Sequence, residues 1–174
     1  MKKQGTSENQ VKIAYLGIGS NLGNRLKNID ISKFKLQSQN IKIIKCSSNY
    51  ETISWPDVKN PKFINIVIKV ETYFSANKLL KICNKIENEL GRKRFKKNDP
   101  RTCDIDIIDY DQKVIKFNRK NYLNIPHSET SKRCFVLIPL YEISKTWKHP
   151  KTKVNINKLI SLLKIDDLRA IKKI

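Results

Sequence analysis

The chain has 174 residues, 39% of them apolar and 30% charged, with a formal net charge of +20. That balance describes a single globular domain and excludes wholesale disorder, and no apolar run approaches the roughly 20 residues that cross a bilayer. The opening Met1-Lys2-Lys3-Gln4-Gly5-Thr6-Ser7-Glu8 lacks the apolar core of a secretory signal, and Cys46, Cys83, Cys103 and Cys134 are too scattered for a zinc site or a disulfide frame.

These features predict a flexible tail over residues 1–10, a single domain over 11–174, and reduced thiols in a cytoplasmic protein. The charge has two readings. A strong positive potential attracts polyanions, whereas Lys, Asn and Ile enriched along the whole chain point to an AT-rich coding sequence. The even spread of lysines favours the second.

The first strand is expected from Val11 to Ile18, closed by a turn punctuated by Gly17, Gly19 and Gly23, with Ser20 or Asn21 serving the start of the next helix. That helix runs from about Arg25 to Gln39, with an imperfect apolar face of Leu26, Ile29, Phe34 and Leu36. Extended chain resumes at Ile41 and continues through Cys46 to Thr52. After a loop with Trp55-Pro56 and Asn60-Pro61, Phe63 to Val70 is dense in β-branched residues and predicts the clearest strand.

Ser75 or Asn77 caps a second helix, whose Leu79, Leu80, Ile82, Ile86 and Leu90 recur at helical spacing and which stops at Gly91. A basic loop, Arg92 to Asn98, leads to a strand containing Asp104-Ile105-Asp106-Ile107. Asp109 to Ile115 reads as a hairpin, Phe135 to Glu142 as a helix, and Ile156 to Leu163 as a terminal amphipathic one. The order β-α-β-β-α-β predicts an α+β fold, a ferredoxin-like split β-α-β sandwich with a mostly antiparallel sheet and helices on one face.

Asp104 and Asp106 are two residues apart on a strand, so they project from one face while Ile105 and Ile107 pack behind. Two like charges held so close suit a hard divalent ion such as Mg²⁺, which accepts one or two carboxylates and completes its shell with water and phosphate. The alternative is an exposed strand face on which the acids stay wet. Arg92, Arg94 and Arg101 flank the pair, and guanidinium groups grip phosphate bidentately. Carboxylates, metal and arginines would together cradle a triphosphate; alone, the basic run is a solvated surface. Asn65 interrupts the most apolar strand on the same face as Phe63, either to read the edge of a flat heterocycle or to bond a neighbouring loop. His127 follows Pro126, with Arg133 and Phe135 shortly after. The glycines miss the dinucleotide fingerprint, because Gly23 falls one residue late and no acid ends a second strand.

Taken together, six blocks in order resemble the 6-hydroxymethyl-7,8-dihydropterin pyrophosphokinase family. They are Ala14 to Arg25, Ser48 to Thr52, Phe63-Ile64-Asn65, Ile86 to Arg92, Pro100 to Ile107, and Pro126-His127 with Arg133 to Leu140. The resemblance is collinear from about Ile13 to Pro150. It implies transfer of the diphosphoryl group of the co-substrate ATP to the pterin hydroxymethyl oxygen, leaving AMP, without a covalent intermediate. It further implies two Mg²⁺ ions on Asp104 and Asp106, with Arg92 and Arg101 completing the catalytic group. By the same resemblance Arg92, Arg101, His127 and Arg133 contact ATP, with Glu87 and Ile107 on the nucleotide side. Phe63 and Phe135 sandwich the pterin, and Asn65 with groups near Thr52 and Trp55 reads its polar edge.

The chain departs from the family at several points. Asn98 and Asp99 stand where the lid often carries a tryptophan and a glycine, leaving Phe95 or Lys97 to cover ATP. Asn84 replaces a common glutamine, Ser128 replaces an aromatic, and Ile53-Ser54 replaces two prolines. Small-molecule substrates, a monomer, and neither nucleic acid nor membrane as partner are expected. An RNA-binding module would need a run of stacking aromatics that the strands lack. A nucleotidyltransferase using the same acids would release pyrophosphate instead of AMP.

Overall fold

A computed structural model describes residues 10–54, 57–92, 99–119 and 123–174. Strand β1 (Lys12–Ser20) carries alternate apolar residues into helix α1 (Arg25–Ser38). Two short strands, β2 (Lys42–Cys46) and β3 (Tyr50–Thr52), precede the long β4 (Phe63–Thr72). Helix α2 (Ala76–Glu89) and strand β5 (Asp104–Tyr110) follow, then α3 (Cys134–Ile143), α4 (Ile156–Ser161), α5 (Ile165–Arg169) and β6 (Ile171–Lys173).

All strand pairs are antiparallel, in the order β5-β1-β4-β3-β6, with β2 also pairing β4. The α+β class and split β-α-β order are as expected. The helices, however, cover both faces. Ile64, Ile66, Ile68 and Val70 of β4 pack with Ile29, Leu36, Leu79, Ile82 and Ile86 under α1 and α2. On the other face Tyr15, Val67 and Ile108 pack with Leu137, Leu140, Trp147 and Ile156 under α3 and α4. A strand buried on both faces reads as a continuous apolar run, which hides the second layer. No helix among the described residues is long and apolar enough to cross a membrane.

Several boundaries differ from expectation for local reasons. The stretch after Ile41 splits in two because Ser47 turns its hydroxyl to the Val67 N–H, at 3.0 Å, while its own N–H bonds the Val67 carbonyl. In α1 the buried stripe is Ile29, Ser32 and Leu36, whereas Leu26 and Phe34 are 46% and 71% exposed. Asn24 caps that helix, not Ser20 or Asn21, its side chain accepting the Lys27 N–H. Ser75 caps α2, and Gly91, at φ +78°, ends it. The expected hairpin after Asp109 is a turn only. Asp111 and Gln112 both have positive φ, but Ile115 bridges to Ile125 and adds no strand beside β5. The terminal helix ends at Ser161, and α5 and β6 continue beyond it.

Candidate active site

Gly17 and Gly19 lie within β1, not in the turn after it. Gly19 pairs with Asp104 on one side and Asn65 on the other; Asn65 pairs with Tyr50, and Tyr50 with Lys173. Directly paired residues share a face of the sheet. One row therefore crosses five strands as Asp104, Gly19, Asn65, Tyr50 and Lys173. Asp106, Gly17 and Val67 form the next part-row, on the face covered by α3. Glycine, second in the first row, lets the Asn65 amide and the Phe63 ring close over the backbone, Asn65 Oδ1 standing 2.9 Å and Phe63 Cδ1 3.6 Å from where a Cβ would be.

The acidic end is held by arginines. Arg92 Nη1 is 2.5 Å from Glu87 Oε1 and 2.7 Å from Asp104 Oδ1; Arg101 Nη2 is 2.5 Å from Asp104 Oδ2. Arg133 Nη1 lies 3.7 Å from Asp106 Oδ2. Glu87 also accepts the Ile105 N–H at 2.7 Å, which fixes the start of β5 against α2. Burial, reinforced by the charge of Asp104, raises the Glu87 pKa against the pull of Ile105 and Arg92. Burial opposes the charge of Arg92, but Asp104 and Glu87 outweigh it and raise its pKa. Crowding by protein atoms, and next the charge of Asp104, push the Asp106 pKa up, although solvent still reaches its carboxylate. The Nε groups of Arg92 and Arg101 are buried with no hydrogen-bond partner. Arg92, Arg101 and Arg133 bring three guanidinium groups to one carboxylate pair, a donor set that suits an anion.

Beyond Gly19, Asn65 donates its amide to Thr52 Oγ1 at 2.9 Å, and both side chains are buried. Phe63 shares their face, with the Arg101 guanidinium 5.0 Å above its ring. Phe135, in the first turn of α3, stands on the same side of the sheet and carries Arg133 at 5.6 Å. Asn21 links the two ends. Its Oδ1 accepts the Arg101 N–H at 2.7 Å, its N–H bonds the Arg101 carbonyl at 3.1 Å, and its amide nitrogen reaches Ser54 Oγ and the Pro61 carbonyl.

Beside edge strand β5 opens a cavity of about 250 Å³, lined by Leu80, Asn84 and Glu87 of α2, by Asp104 to Ile107, and by Leu123, Asn124, His127 and Ser128. His127 is anchored by its N–H to the Ile108 carbonyl at 3.3 Å, and its Nδ1 accepts the Glu129 N–H at 3.3 Å.

The structure thus brings together Glu87, Arg92, Arg101, Asp104, Asp106, Ile107 and His127 around one cavity and charge cluster, with Arg133 reaching in from α3. Thr52, Phe63, Asn65 and Phe135 lie on the adjoining sheet face. Trp55 lies outside the described residues, as do Arg94, Phe95, Lys97 and Asn98, on which the lid expectation rested, and residues 1–9 of the expected tail. Gly19 lies inside β1 between Asp104 and Asn65, and Asn21 bonds Arg101, Ser54 and Pro61, so neither is a simple turn residue. A glycine inside an otherwise apolar strand signals close backbone approach, and that signal was available.

No group of three or more His, Cys, Asp or Glu residues converges among the described residues. Two carboxylates on one strand face suit a hard ion that retains water and phosphate ligands, and do not suit zinc, which takes three or four protein ligands.

Residues 15–145 match the family described as 7,8-dihydro-6-hydroxymethylpterin-pyrophosphokinase (HPPK). The chain is 39% identical over 152 residues to a folic acid synthesis protein of Pneumocystis carinii, covering 86% of this chain and 20% of that one. It is also 39% identical over 136 residues to the 2-amino-4-hydroxy-6-hydroxymethyldihydropteridine pyrophosphokinase of Aquifex aeolicus, covering 78% of this chain and 82% of the relative. The crystal structure of a Plasmodium falciparum HPPK-DHPS variant superposes with a TM-score of 0.70 at 19% identity, over 95% of this chain and 48% of that one, a likeness of fold. The chain spans about a fifth of the length of the folic acid synthesis proteins it matches.

Proposed function

Because the chain belongs to the 7,8-dihydro-6-hydroxymethylpterin-pyrophosphokinase family of folate biosynthesis, we propose that it transfers the diphosphoryl group of ATP to 6-hydroxymethyl-7,8-dihydropterin. The bond between the β-phosphorus and the AMP oxygen breaks, the hydroxymethyl oxygen bonds that phosphorus, and its proton leaves to solvent. The observation that carries the reading is the sheet row joining Asp104 to Asn65 across Gly19.

ATP lies with its base in the cavity between α2 and β5, beside Leu80, Asn84 and Ile107, and its phosphates toward Arg92, Arg101, His127 and Arg133. The pterin lies between Phe63 and Phe135, its amide edge read by Asn65 and by groups near Thr52 and Trp55. Asp104 and Asp106 would hold two Mg²⁺, which when bound would supply charge neutralisation at the phosphates and polarisation of the acceptor hydroxyl. Arg92 and Arg101, paired with Asp104, bring guanidinium donors to the place where the phosphates would lie. The protein's part is electrostatic stabilisation and alignment of the two reacting oxygens.

Residues 11–174 act as one pyrophosphokinase domain in a cytoplasmic monomer, with neither nucleic acid nor membrane as a partner. The acidic pair at the head of the basic cluster supports a nucleotide over a polyanion.

The test is direct. Purified protein with ATP, Mg²⁺ and hydroxymethyl-dihydropterin is expected to form AMP and pterin diphosphate in equal amounts. Pyrophosphate in place of AMP would indicate nucleotidyl transfer, and no pterin-dependent turnover would overturn the reading.

A further inference from the structure

The row that starts at Asp104 ends at Lys173, and a residue outside the proposed site gathers up that end. Glu142 lies in the last turn of α3, seven residues after Phe135. Both side chains therefore leave nearly the same face of the helix, two turns and about 10 Å apart along its axis. The Glu142 carboxylate accepts four hydrogen bonds. Ser48 gives its N–H at 3.0 Å and its hydroxyl at 2.7 Å, Tyr50 its hydroxyl at 2.8 Å, and Lys173 its ammonium at 3.1 Å.

The donors come from the β2–β3 connection, from β3 and from β6. An acid that merely solvates a helix face does not collect donors from three segments, and here both oxygens are fully used. Burial works against its charge, yet Ser48, Tyr50 and Lys173 hold the carboxyl at about 2. The partners are also placed to matter. Tyr50 pairs directly with Asn65, and Thr52, two residues on, takes the Asn65 amide. β3 has only three residues, and besides its backbone bonds to β4 and β6 it is held by Thr52 to Asn65 and by Glu51 to Arg25 and Lys62.

We propose that Glu142 is a positioning residue for the acceptor substrate. By tying the far end of α3 to β3 and β6, it sets how closely Phe135, at the near end of the helix, stands to Phe63, Asn65 and Thr52. Helix α3, with Pro139 between the two residues, acts as the spacer, and the clasp is its fixed end. The inference rests on the proposed pyrophosphokinase reading and deepens it, because it names what sets the width of the pterin slot. The nucleotide side has mostly other anchors: Arg92, Arg101, Glu87 and Asp104 stand on α2, on β5 and on the chain between them, none of which supplies a group to the clasp, and only Arg133, at the N-cap of α3, shares the clasped helix.

The experiment compares steady-state kinetics of the wild type, Glu142→Gln, Tyr50→Phe and the double variant. Glutamine keeps the shape but turns an amide NH2, itself a donor, toward donors. The KM for the pterin is expected to rise about fivefold or more in Glu142→Gln and two- to threefold in Tyr50→Phe, with kcat and the KM for ATP within about twofold. The double variant should be no worse than Glu142→Gln alone, because the two groups share one bond. Leu36→Ala, in the core on the opposite face of the sheet, should lower Tm without moving the pterin KM, which separates positioning from general loosening. A wild type that turns over while Glu142→Gln keeps a normal pterin KM, or raises both KM values alike, overturns this inference alone. A wild type with no pterin-dependent AMP formation overturns the pyrophosphokinase reading, and the inference with it.

Discussion

Gly19→Ala separates the cost of filling the site from the cost of unfolding it. An added Cβ would stand 2.9 Å from Asn65 Oδ1 and 3.6 Å from Phe63 Cδ1. A carbon and an oxygen rest at no less than roughly 3.3 Å, so the amide must retreat by about 0.4 Å. Its other end rests on Thr52 Oγ1 at 2.9 Å on the far side, in β3, so the retreat would press that contact to about 2.5 Å, below the usual range, and the amide must turn aside from Thr52 to escape. Loss of most of one hydrogen bond costs about 1 kcal/mol. Alanine in a strand regains about 0.5–1 kcal/mol over glycine, and the backbone here is not left-handed. The two terms nearly cancel, so Tm should move by less than about 4 °C. Recognition has no such offset: an amide displaced from the acceptor's edge loses about 1 kcal/mol, a roughly fivefold rise in pterin KM. Thermal unfolding followed by fluorescence, with kinetics for each substrate in turn, checks both halves. An unchanged pterin KM, or an equal rise for ATP, would refute the placement of the acceptor against Asn65.

The remaining predictions concern the charge cluster, the ring wall and the clasp. Asp104→Asn and Asp106→Asn should each lower turnover by about a hundredfold or more with unchanged circular dichroism, and near-normal activity in either would remove that carboxylate from metal binding. Phe135→Ala should raise the pterin KM several-fold, in line with the roughly 0.5–1.5 kcal/mol of an aromatic pair, and should spare the ATP KM; equal losses would argue against the ring sandwich. Glu87→Ala strips Arg92 of a partner and leaves the buried Ile105 N–H without an acceptor, a destabilisation of about 3 kcal/mol; a calorimetric Tm within about a degree of wild type would contradict it. Glu142 has its carboxyl lowered from 4.5 to about 2 in the folded chain, so its contribution is complete above pH 4.5 and is lost as pH falls toward 2. Denaturant titrations across that window should lose less stability in Glu142→Gln than in wild type, and parallel curves would show that the clasp carries no such linkage.

Much of this arrangement is legible in the residues. The β-branched run of β4, the helical spacing of α2 and the alternation of Asp104-Ile105-Asp106-Ile107 each report a local pattern that the fold keeps. The carboxylate face, the arginines beside it and the Phe63–Asn65 face all follow from such patterns. What was not legible depends on partners far along the chain. Gly17 and Gly19 look like turn residues until β4 and β5 flank them, and Ile108, Asn65 and Phe63 pack where their side chains would be. Ile171-Lys172-Lys173 is too short and too basic to announce a strand; only β3 makes it one. Phe34 supplies an apolar position to α1 at plausible spacing, but the sheet meets the helix along Ile29, Ser32 and Leu36. Glu142 was the polar end of an apolar helix, and its four donors come from residues at least 31 positions away.

Asn21 has a consequence for how the two substrates sense each other. One side chain grips the Arg101 backbone with its oxygen and the Ser54–Pro61 loop with its nitrogen, so the strap that reaches for phosphate and the strap that borders the acceptor pivot on a common pin. Coupling between two ligands is reciprocal by thermodynamic necessity. If occupancy of one shifts this pin, the affinity for the other must change by the same factor, and shortening Asn21 to alanine should erase that cross-talk whichever ligand is added first.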